Sequence, residues 1–587
     1  KHIMPKIEVN ENLFFSLLGK RMDADGLEAI FPAAKAELDE WKPGEGDAET
    51  RTIKVELNDT NRPDLWSTAG LARQLRLHAG ASRPSYPFFS RPGDEKAAAR
   101  KVIVDESVKG VRPWLAGFTV KGKAVTDPVL RDLIQTQEKL AWNFGRKRRT
   151  VSMGIYRSAS ISWPVTYKGV APDSVRFVPL QGERPMTLTE ILKEHPKGKE
   201  YAFINEKEAI HPLLVDSKNA ILSYPPIINS ADLGAVQVGD SELFVEITGT
   251  DLVSVLLSAS IVACDLTDMG HTVEPVAVEY GYETPFGKRI VCPYYFQKPV
   301  SIEAGRVTRL LGRPFSVEDV AEAVSRMGST VQTHGQYVTA LPPEYRNDFL
   351  HPVDIVEDVM IGCGMDSFKP ERPRDFTIGR LSPIELFSRK AKGVLVGLGY
   401  QEMIYNYLGS GKDYAERMGI DPETLVRISN PMSENYEYVR ASALPSLLYS
   451  ESVSSKAAYP HRLFEVGKVA LKRPEENYGV ATRQYLSLLS AHSAADFNEA
   501  AAHVATLLYY LGRDFTVADP SAGAAASVAT GNARGDDPRF IPGRQALVLY
   551  KGKCIGIYGE VHPRVLEAWG ITTPCAAGEL DLDALIG

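Results

Sequence analysis

The sequence predicts a multidomain α+β protein, and three observations carry that reading. The chain has 587 residues, too many for a single hydrophobic core. Stretches with apolar residues at alternate positions are interleaved with stretches of helical periodicity. Capping residues, Pro and Gly punctuate the boundaries between them.

The first segment, 4–82, opens on a strand at Ile7 and Val9, and 27–41 has the spacing of an amphipathic helix. Residues 52–57 alternate, with Ile53, Val55 and Leu57 on one side. A loop of turn formers, 58–64, leads into a helix from about Leu65 to His78. Residues 81–94 are rich in Pro and Ser and read as a linker.

The second segment, 98–282, mixes strands at 116–120, 151–155 and 243–247 with helices at 128–144 and 253–266. Pro225 and Pro226 force an extended backbone. In the third, 291–373, Ser316 and Asp319 form a capping box for a helix running to Met327. Pro352 suits the first turn of a second helix that ends by Gly362 or Gly364. With strand-like residues at 331–341, this is a small winged-helix-like module. The fourth, 377–587, starts a helix at Ser382, Pro383 and Glu385 and stops it at Gly399. Strands at 402–408, 463–469, 545–550 and 554–560 predict a largely antiparallel sheet flanked by helices. Residues 522–526 are a short Ala-rich loop or helix.

A net charge of −7 and 44% hydrophobic residues are those of an ordinary globular protein, not a disordered one. No signal peptide is legible, and residues 1–3 ahead of Met4 are left out of fold reasoning. The apolar run 252–263 is too short and too mixed to span a bilayer, so no membrane is expected. Cys264, Cys292, Cys363, Cys554 and Cys575 are scattered without C-x-x-C spacing. That argues for the cytoplasm and against a disulfide framework or a zinc site. Any RNA contact must come from local patches. The densest is Arg146, Lys147, Arg148 and Arg149, which either meets phosphate or is a solvated helix end.

The sharpest chemistry lies in 346–360. On a helix begun by Pro352, Asp354, Glu357 and Asp358 fall at i, i+3 and i+4 and share a face about 100° wide. Val353, Ile355, Val356, Val359 and Met360 fill the other side. Asp348 reaches the same place from the incoming loop. Four oxygen donors suit a hard cation, Mg²⁺ before Ca²⁺, which would relieve their repulsion. The plainer alternative is a solvated acidic face, with His351 as a cap.

This motif, followed by Gly362, Cys363, Gly364 and Met365, resembles the magnesium-bearing motif of the phenylalanyl-tRNA synthetase β-subunit family, in its archaeal/eukaryotic form. Other segments resemble the same family in the same order: 58–64 with 71–76, 222–230, 247–251, then Asn430, Pro431, Arg440, 463–467, 542–544 and 559–563. The resemblance implies Mg²⁺ on Asp348, Asp354, Glu357 and Asp358, near the contact with a separate α subunit. It implies an α2β2 heterotetramer that attaches phenylalanine to tRNA(Phe), with ATP used through the α subunit. It implies that 377–587 is a catalytically silent class II synthetase-like domain. Arg440 falls near where that class keeps an arginine on the α-phosphate of ATP, without the surrounding pattern; the plainer reading of Arg440 and Arg544 is structural salt bridging. It also implies that 98–282 is an editing-like module that hydrolyses tyrosine mischarged on the tRNA. Such a second site is needed because an apolar pocket rejects one added hydroxyl only about 100-fold. The editing candidates are Asp216, Ser217 and Asn229, with Thr248, Thr250 and Asp251 as further polar wall; alternatively Asp216 only forms a turn before Asn219. The family commonly has His-Asp-Leu-Asp where this chain has Tyr156, Arg157, Ser158 and Ala159. The rival classes are a non-catalytic nucleic-acid-binding scaffold and a magnesium-dependent nuclease or phosphohydrolase.

Overall fold

The computed structural model describes residues 6–44, 47, 49–58, 61–454, 456–520 and 537–586. The Ala-rich stretch 522–526 and residues 59–60 of the first loop lie outside the described residues. The chain forms two compact units, 2–371 and 372–587. Both mix helices with sheets, so the fold is α+β and multidomain.

In the first unit, Lys6–Asn10, Thr52–Leu57 and Ala36–Glu40 form a three-stranded antiparallel sheet with Thr52–Leu57 central. Ile7, Val9, Ile53 and Val55 alternate inward and are fully buried. The amphipathic helix expected over 27–41 does not form. Helix Ala24–Ile30 gives way to a 3-10 turn at Phe31–Ala34, then to strand Ala36–Glu40. Pro32 and the left-handed Lys35 explain the break, because neither continues an α-helix. Helix Thr68–His78 follows as expected, capped by Ser67.

A ten-stranded sheet occupies the middle of the unit. Its spatial core is Arg100–Val104, Thr272–Tyr280, Trp114–Lys121, Glu242–Gly249 and Val151–Arg157. Helix Leu252–Asp268 covers Trp114–Lys121 and Glu242–Gly249 with Val255, Ala259, Val262 and Leu266. Strands Val165–Val170, His211–Val215, Ile221–Tyr224 and Ile228–Asn229 extend one edge. The stretch 81–94 is no free linker: Phe89 is buried and Ser90 bridges Tyr294.

A three-stranded sheet, Val300–Glu303, Tyr337–Leu341 and Thr330–His334, packs with helices Ala304–Leu311, Val317–Arg326 and Pro352–Gly362 around Val307, Val320, Val338 and Val359. The capping box at Ser316 is formed in full.

The second unit is built on a seven-stranded sheet. Its spatial order is Gln401–Glu402, His461–Lys472, Val480–Ala491, Cys575–Asp581, Lys553–Val561, Phe540–Tyr550 and Thr516–Ala518. All neighbours are antiparallel except the first pair. Both faces are covered. Phe464, Leu488, Val548 and Ala576 meet helices Pro383–Gly397 and Phe497–Tyr510, while Leu463, Leu489, Leu547 and Ala577 meet Leu444–Val453 and Pro563–Trp569. The strand expected over 402–408 is split: Gln401–Glu402 pairs with His461–Lys472, and Leu408–Gly409 pairs with Tyr438–Val439.

Candidate functional site

The acidic motif lies where helix Pro352–Gly362 meets its lead-in loop. Pro352 opens the helix and His351 caps it, its Nδ1 accepting the Val353 amide at 3.1 Å. Arg346 is buried at the centre. Its Nε and Nη2 donate to Asp348 at 2.9 and 2.6 Å, and its Nη1 and Nη2 donate to Asp358 at 2.8 and 3.0 Å. Burial pushes the carboxyl of Asp348 up, but Arg346 beside it wins and holds it down at about 2. Burial wins at Asp358, whose carboxyl is pushed up.

The other two acids turn elsewhere. Asp354 accepts the backbone amides of Leu350 and His351, both at 2.7 Å, closing a capping box. Glu357 is exposed and pairs with Lys35 at 2.7 Å. The four carboxylates therefore do not surround one point, and no group of three or more metal-ligating side chains is assembled among the described residues. In this arrangement Arg346 and Lys35 hold three of the four carboxylates proposed for magnesium. The donor chemistry suits a hard ion, but the guanidinium of Arg346 already hydrogen-bonds both buried acids. An ion at this place would have to take oxygens from Arg346 and Lys35.

Arg346 belongs to a wider set of buried arginines. Arg62 pairs with Asp64 through two bonds of 2.8 Å. Arg73 holds Asp265 at 3.0 Å and Asp268 at 2.6 Å, with its guanidinium 4.0 Å from the centre of the Tyr345 ring. Half-buried Arg83 adds a bond to buried Glu344 at 2.6 Å. These pairs lock helix Thr68–His78, helix Leu252–Asp268 and the loop before Pro352 to one another.

In the ten-stranded sheet the editing candidates separate. Asp216 is buried in the turn after strand His211–Val215. Its Oδ1 accepts the amides of Lys218 and Ala220, both at 2.9 Å, and its Oδ2 accepts that of Ser162 at 3.1 Å. That is the turn-forming alternative, and it leaves the carboxylate engaged by backbone. Ser217 is exposed on the same turn. Asp251 caps helix Leu252–Asp268 through the Ser254 amide at 2.8 Å. Thr248 is buried against Arg112 and Ser152, each at 3.0 Å.

Asn229 instead joins a polar cluster that sequence reasoning missed. The Tyr156 hydroxyl donates to Glu246 Oε1 at 3.0 Å, lies 2.8 Å from the Ser223 hydroxyl, which can donate to it, and lies 3.5 Å from Asn229 Oδ1. Tyr156 is fully buried and stacks on Phe244 at 5.8 Å. Burial pushes the Glu246 carboxyl up to about 7, and its Oε2 is buried with no hydrogen-bond partner. Gly154 is required here, since a Cβ would come 2.7 Å from Glu246 Oε1 and closer still to the Tyr156 hydroxyl. The sequence signal was Glu246 itself, a lone acid inside an otherwise apolar strand pattern.

In the second unit Arg440 is buried and bidentate on Glu465 at 2.9 and 2.8 Å. Arg539 is buried on Asp537 and Glu579. Arg544 pairs with Glu560 at 2.8 Å.

Two family models match the chain: a tRNA synthetase B5 domain over 300–365, and a phenylalanyl tRNA synthetase beta chain CLM domain over 371–582. The phenylalanine–tRNA ligase beta subunit of Treponema pallidum is 44% identical, covering 99% of this chain and 100% of that protein. The chain belongs to the phenylalanine–tRNA ligase β-subunit family. A second member of the family, from Borrelia hermsii, is also 44% identical over 99% of this chain and its own full length. Both relatives are bacterial. A solved N-terminal fragment of the phenylalanyl-tRNA synthetase β subunit from Pyrococcus horikoshii is 32% identical, with TM-score 0.56, and covers 61% of this chain and 100% of the fragment. Membership of this β-subunit family sets aside the scaffold and nuclease readings.

Proposed function

We propose that the chain is the β subunit of a phenylalanine–tRNA ligase, working in the cytoplasm with a separate α subunit as an α2β2 heterotetramer on tRNA(Phe). The observation that carries this is identity along the full length of curated β subunits. ATP is used through the α subunit. The seven-stranded domain is the catalytically silent class II synthetase-like domain. In support, Arg440, the residue nearest to a possible α-phosphate clamp, is spent on Glu465. The module division is 4–82, 98–282, 291–373 and 377–587, with 291–373 winged-helix-like. The architecture is of the archaeal/eukaryotic type, supported by the complete coverage of the Pyrococcus horikoshii fragment. Among the described residues no helix is long and apolar enough to cross a membrane.

The test is co-expression with the α subunit, followed by phenylalanine charging with each component left out in turn. Charging only with both chains present supports the reading; charging by this chain alone, or by the α subunit alone at the full rate, refutes it.

Within that reading, 98–282 is the editing module. A phenol already rests on Glu246, that of Tyr156. The second oxygen, Oε2, is unpartnered and suited to the one hydroxyl that separates tyrosine from phenylalanine. Asn229 reaches the same Tyr156 hydroxyl, while Asp216 and Ser217 belong to the turn after strand His211–Val215. Deacylation of Tyr-tRNA(Phe) by the complex, lost on Glu246→Gln, is expected. A wild-type complex that leaves Tyr-tRNA(Phe) intact removes the editing assignment.

Magnesium at Asp348, Asp354, Glu357 and Asp358 is proposed only as an exchange, in which Arg346 and Lys35 yield carboxylate oxygens to the ion. Calorimetric titration of the complex with MgCl₂ should find one site per β chain, lost in Asp348→Asn; no heat of binding ends the proposal.

A further inference from the structure

We propose that the basic turn at 146–149 and the exposed rings beside it form a contact surface for single-stranded RNA, bordering the cluster of Asn229 and Glu246. The inference rests on the ligase reading, which supplies tRNA as the RNA.

The turn is built, not frayed. Helix Asp127–Lys139 widens into a π turn at Leu140–Phe144, and Gly145 follows where a Cβ would run into the carbonyls of Val151 and Ala141. Arg146, Lys147 and Arg148 then take φ of 50°, 58° and 65° in succession. Three consecutive L-residues in the left-handed region are rare, and each such residue is strained. The surroundings hold them there. The amides of Lys147 and Arg148 donate back to Trp142 and Ala141 at 2.8 and 2.7 Å. Buried Arg112 takes the carbonyls of Arg148 and Arg149 at 3.2 and 3.0 Å. The backbone polar groups of the turn are thus drawn inward, and Arg146, Lys147 and Arg149 are left exposed.

The side chains divide their work. Arg148 donates to the carbonyls of Pro226 and Ile227 at 3.1 and 3.0 Å and so fastens the turn to the strand that carries Asn229. Among the described residues, Arg146, Lys147 and Arg149 form no ion pair. Acids near the border are Glu138 and Glu200, and Glu200 is paired with Lys197 at 2.9 Å. Rings lie beside these cations. Trp142 is 45% exposed and Phe203 39% exposed. Lys147 lies 5.4 Å from the Trp142 ring centre and Arg149 4.9 Å from that of Phe203.

Cations without acidic partners beside partly exposed rings, over which two of them lie, match a strand whose phosphates draw the cations and whose unpaired bases stack on the rings. A duplex offers no free base faces to such rings. In a tRNA the unpaired 3′ end carries the esterified amino acid, and it must pass near any hydrolytic site on this sheet.

The test uses the α/β complex and tRNA(Phe), either intact or lacking its unpaired 3′ nucleotides, with binding measured against salt. Replacing Arg146, Lys147 and Arg149 by Ala should lower the log–log salt slope by about 2, at roughly 0.7 per phosphate contact on a single strand. Replacing Trp142 and Phe203 by Ala should weaken intact tRNA about tenfold or more at unchanged slope. Both variants should bind the shortened tRNA as wild type does. Unchanged slope and affinity overturn the proposal. So does equal weakening for intact and shortened tRNA, which means a duplex or loop contact. A slope change without any effect of the rings means an unspecific anion surface and also overturns it. Phenylalanine charging by the wild-type complex, run alongside, separates failure of this proposal from failure of the ligase reading.

Discussion

Replacing Arg346 by Met removes the guanidinium from two buried carboxylates while keeping an apolar stem in place. Four charge-assisted bonds disappear, two to Asp348 and two to Asp358. Stranding one buried charge costs about 3–5 kcal/mol. The second carboxylate adds less, because burial already favours protonated Asp358. A loss of roughly 3–5 kcal/mol near pH 7 is therefore expected, read as a lower urea midpoint for unfolding of the unit that contains Arg346. The sign with pH is fixed by Asp348. Its carboxyl falls from 3.8 to about 2 in the folded state. Its contribution is full above pH 3.8 and is lost as pH falls through about 2, so the penalty of the variant shrinks in acid. MgCl₂ should raise the midpoint of the variant more than that of wild type, because the ion no longer competes with an arginine. A penalty under about 1 kcal/mol at pH 7 refutes the view that Arg346 is the structural counter-charge. An identical magnesium response in both proteins refutes the competition.

Other outcomes follow from the same geometry. Glu246 has its carboxyl raised from 4.5 to about 7 by burial, so folding loses about 3 kcal/mol as pH climbs between those values and nothing further above; thermal unfolding of Glu246→Gln should lack that slope, and a parallel pair of curves contradicts it. Gly154→Ala should cost roughly 1–3 kcal/mol by pushing apart Tyr156 and Glu246, measured by urea unfolding, and a neutral substitution denies the close approach. Arg440→Leu should destabilise by about 3–5 kcal/mol through unpaired Glu465. Phenylalanine-dependent ATP–pyrophosphate exchange per folded complex should nonetheless stay within about twofold of wild type, since removing a residue that touches no transition state leaves the barrier alone; a larger loss puts Arg440 into phosphate chemistry.

Local rules made much of the fold legible. Strand Thr52–Leu57, helix Thr68–His78, the capping box at Ser316 and the Pro352 start follow from alternation and end signals, which act within a few residues. Periodicity alone failed at 27–41, where Pro32 and Lys35 break a pattern that an isolated helix would satisfy. The site was harder to read because its partners are distant in sequence. Arg346 sits inside the motif that was read for its acids, yet nothing local says that the arginine, and not an ion, would take Asp348 and Asp358. Tyr156, Ser223, Asn229 and Glu246 come from four strands: register pairs the strands two by two at opposite ends of the sheet order, and the Tyr156 side chain joins the pairs.

The strand order of the second unit has a consequence for biosynthesis. Cys575–Asp581 follows every other strand of that sheet in sequence, yet it lies in the middle, between Val480–Ala491 and Lys553–Val561. Until it emerges from the ribosome, two half-sheets wait with open edges towards each other, each a template for stray pairing. A nascent chain stalled before residue 575 would thus be a substrate for chaperones, because the sheet closes only when Cys575–Asp581 is available.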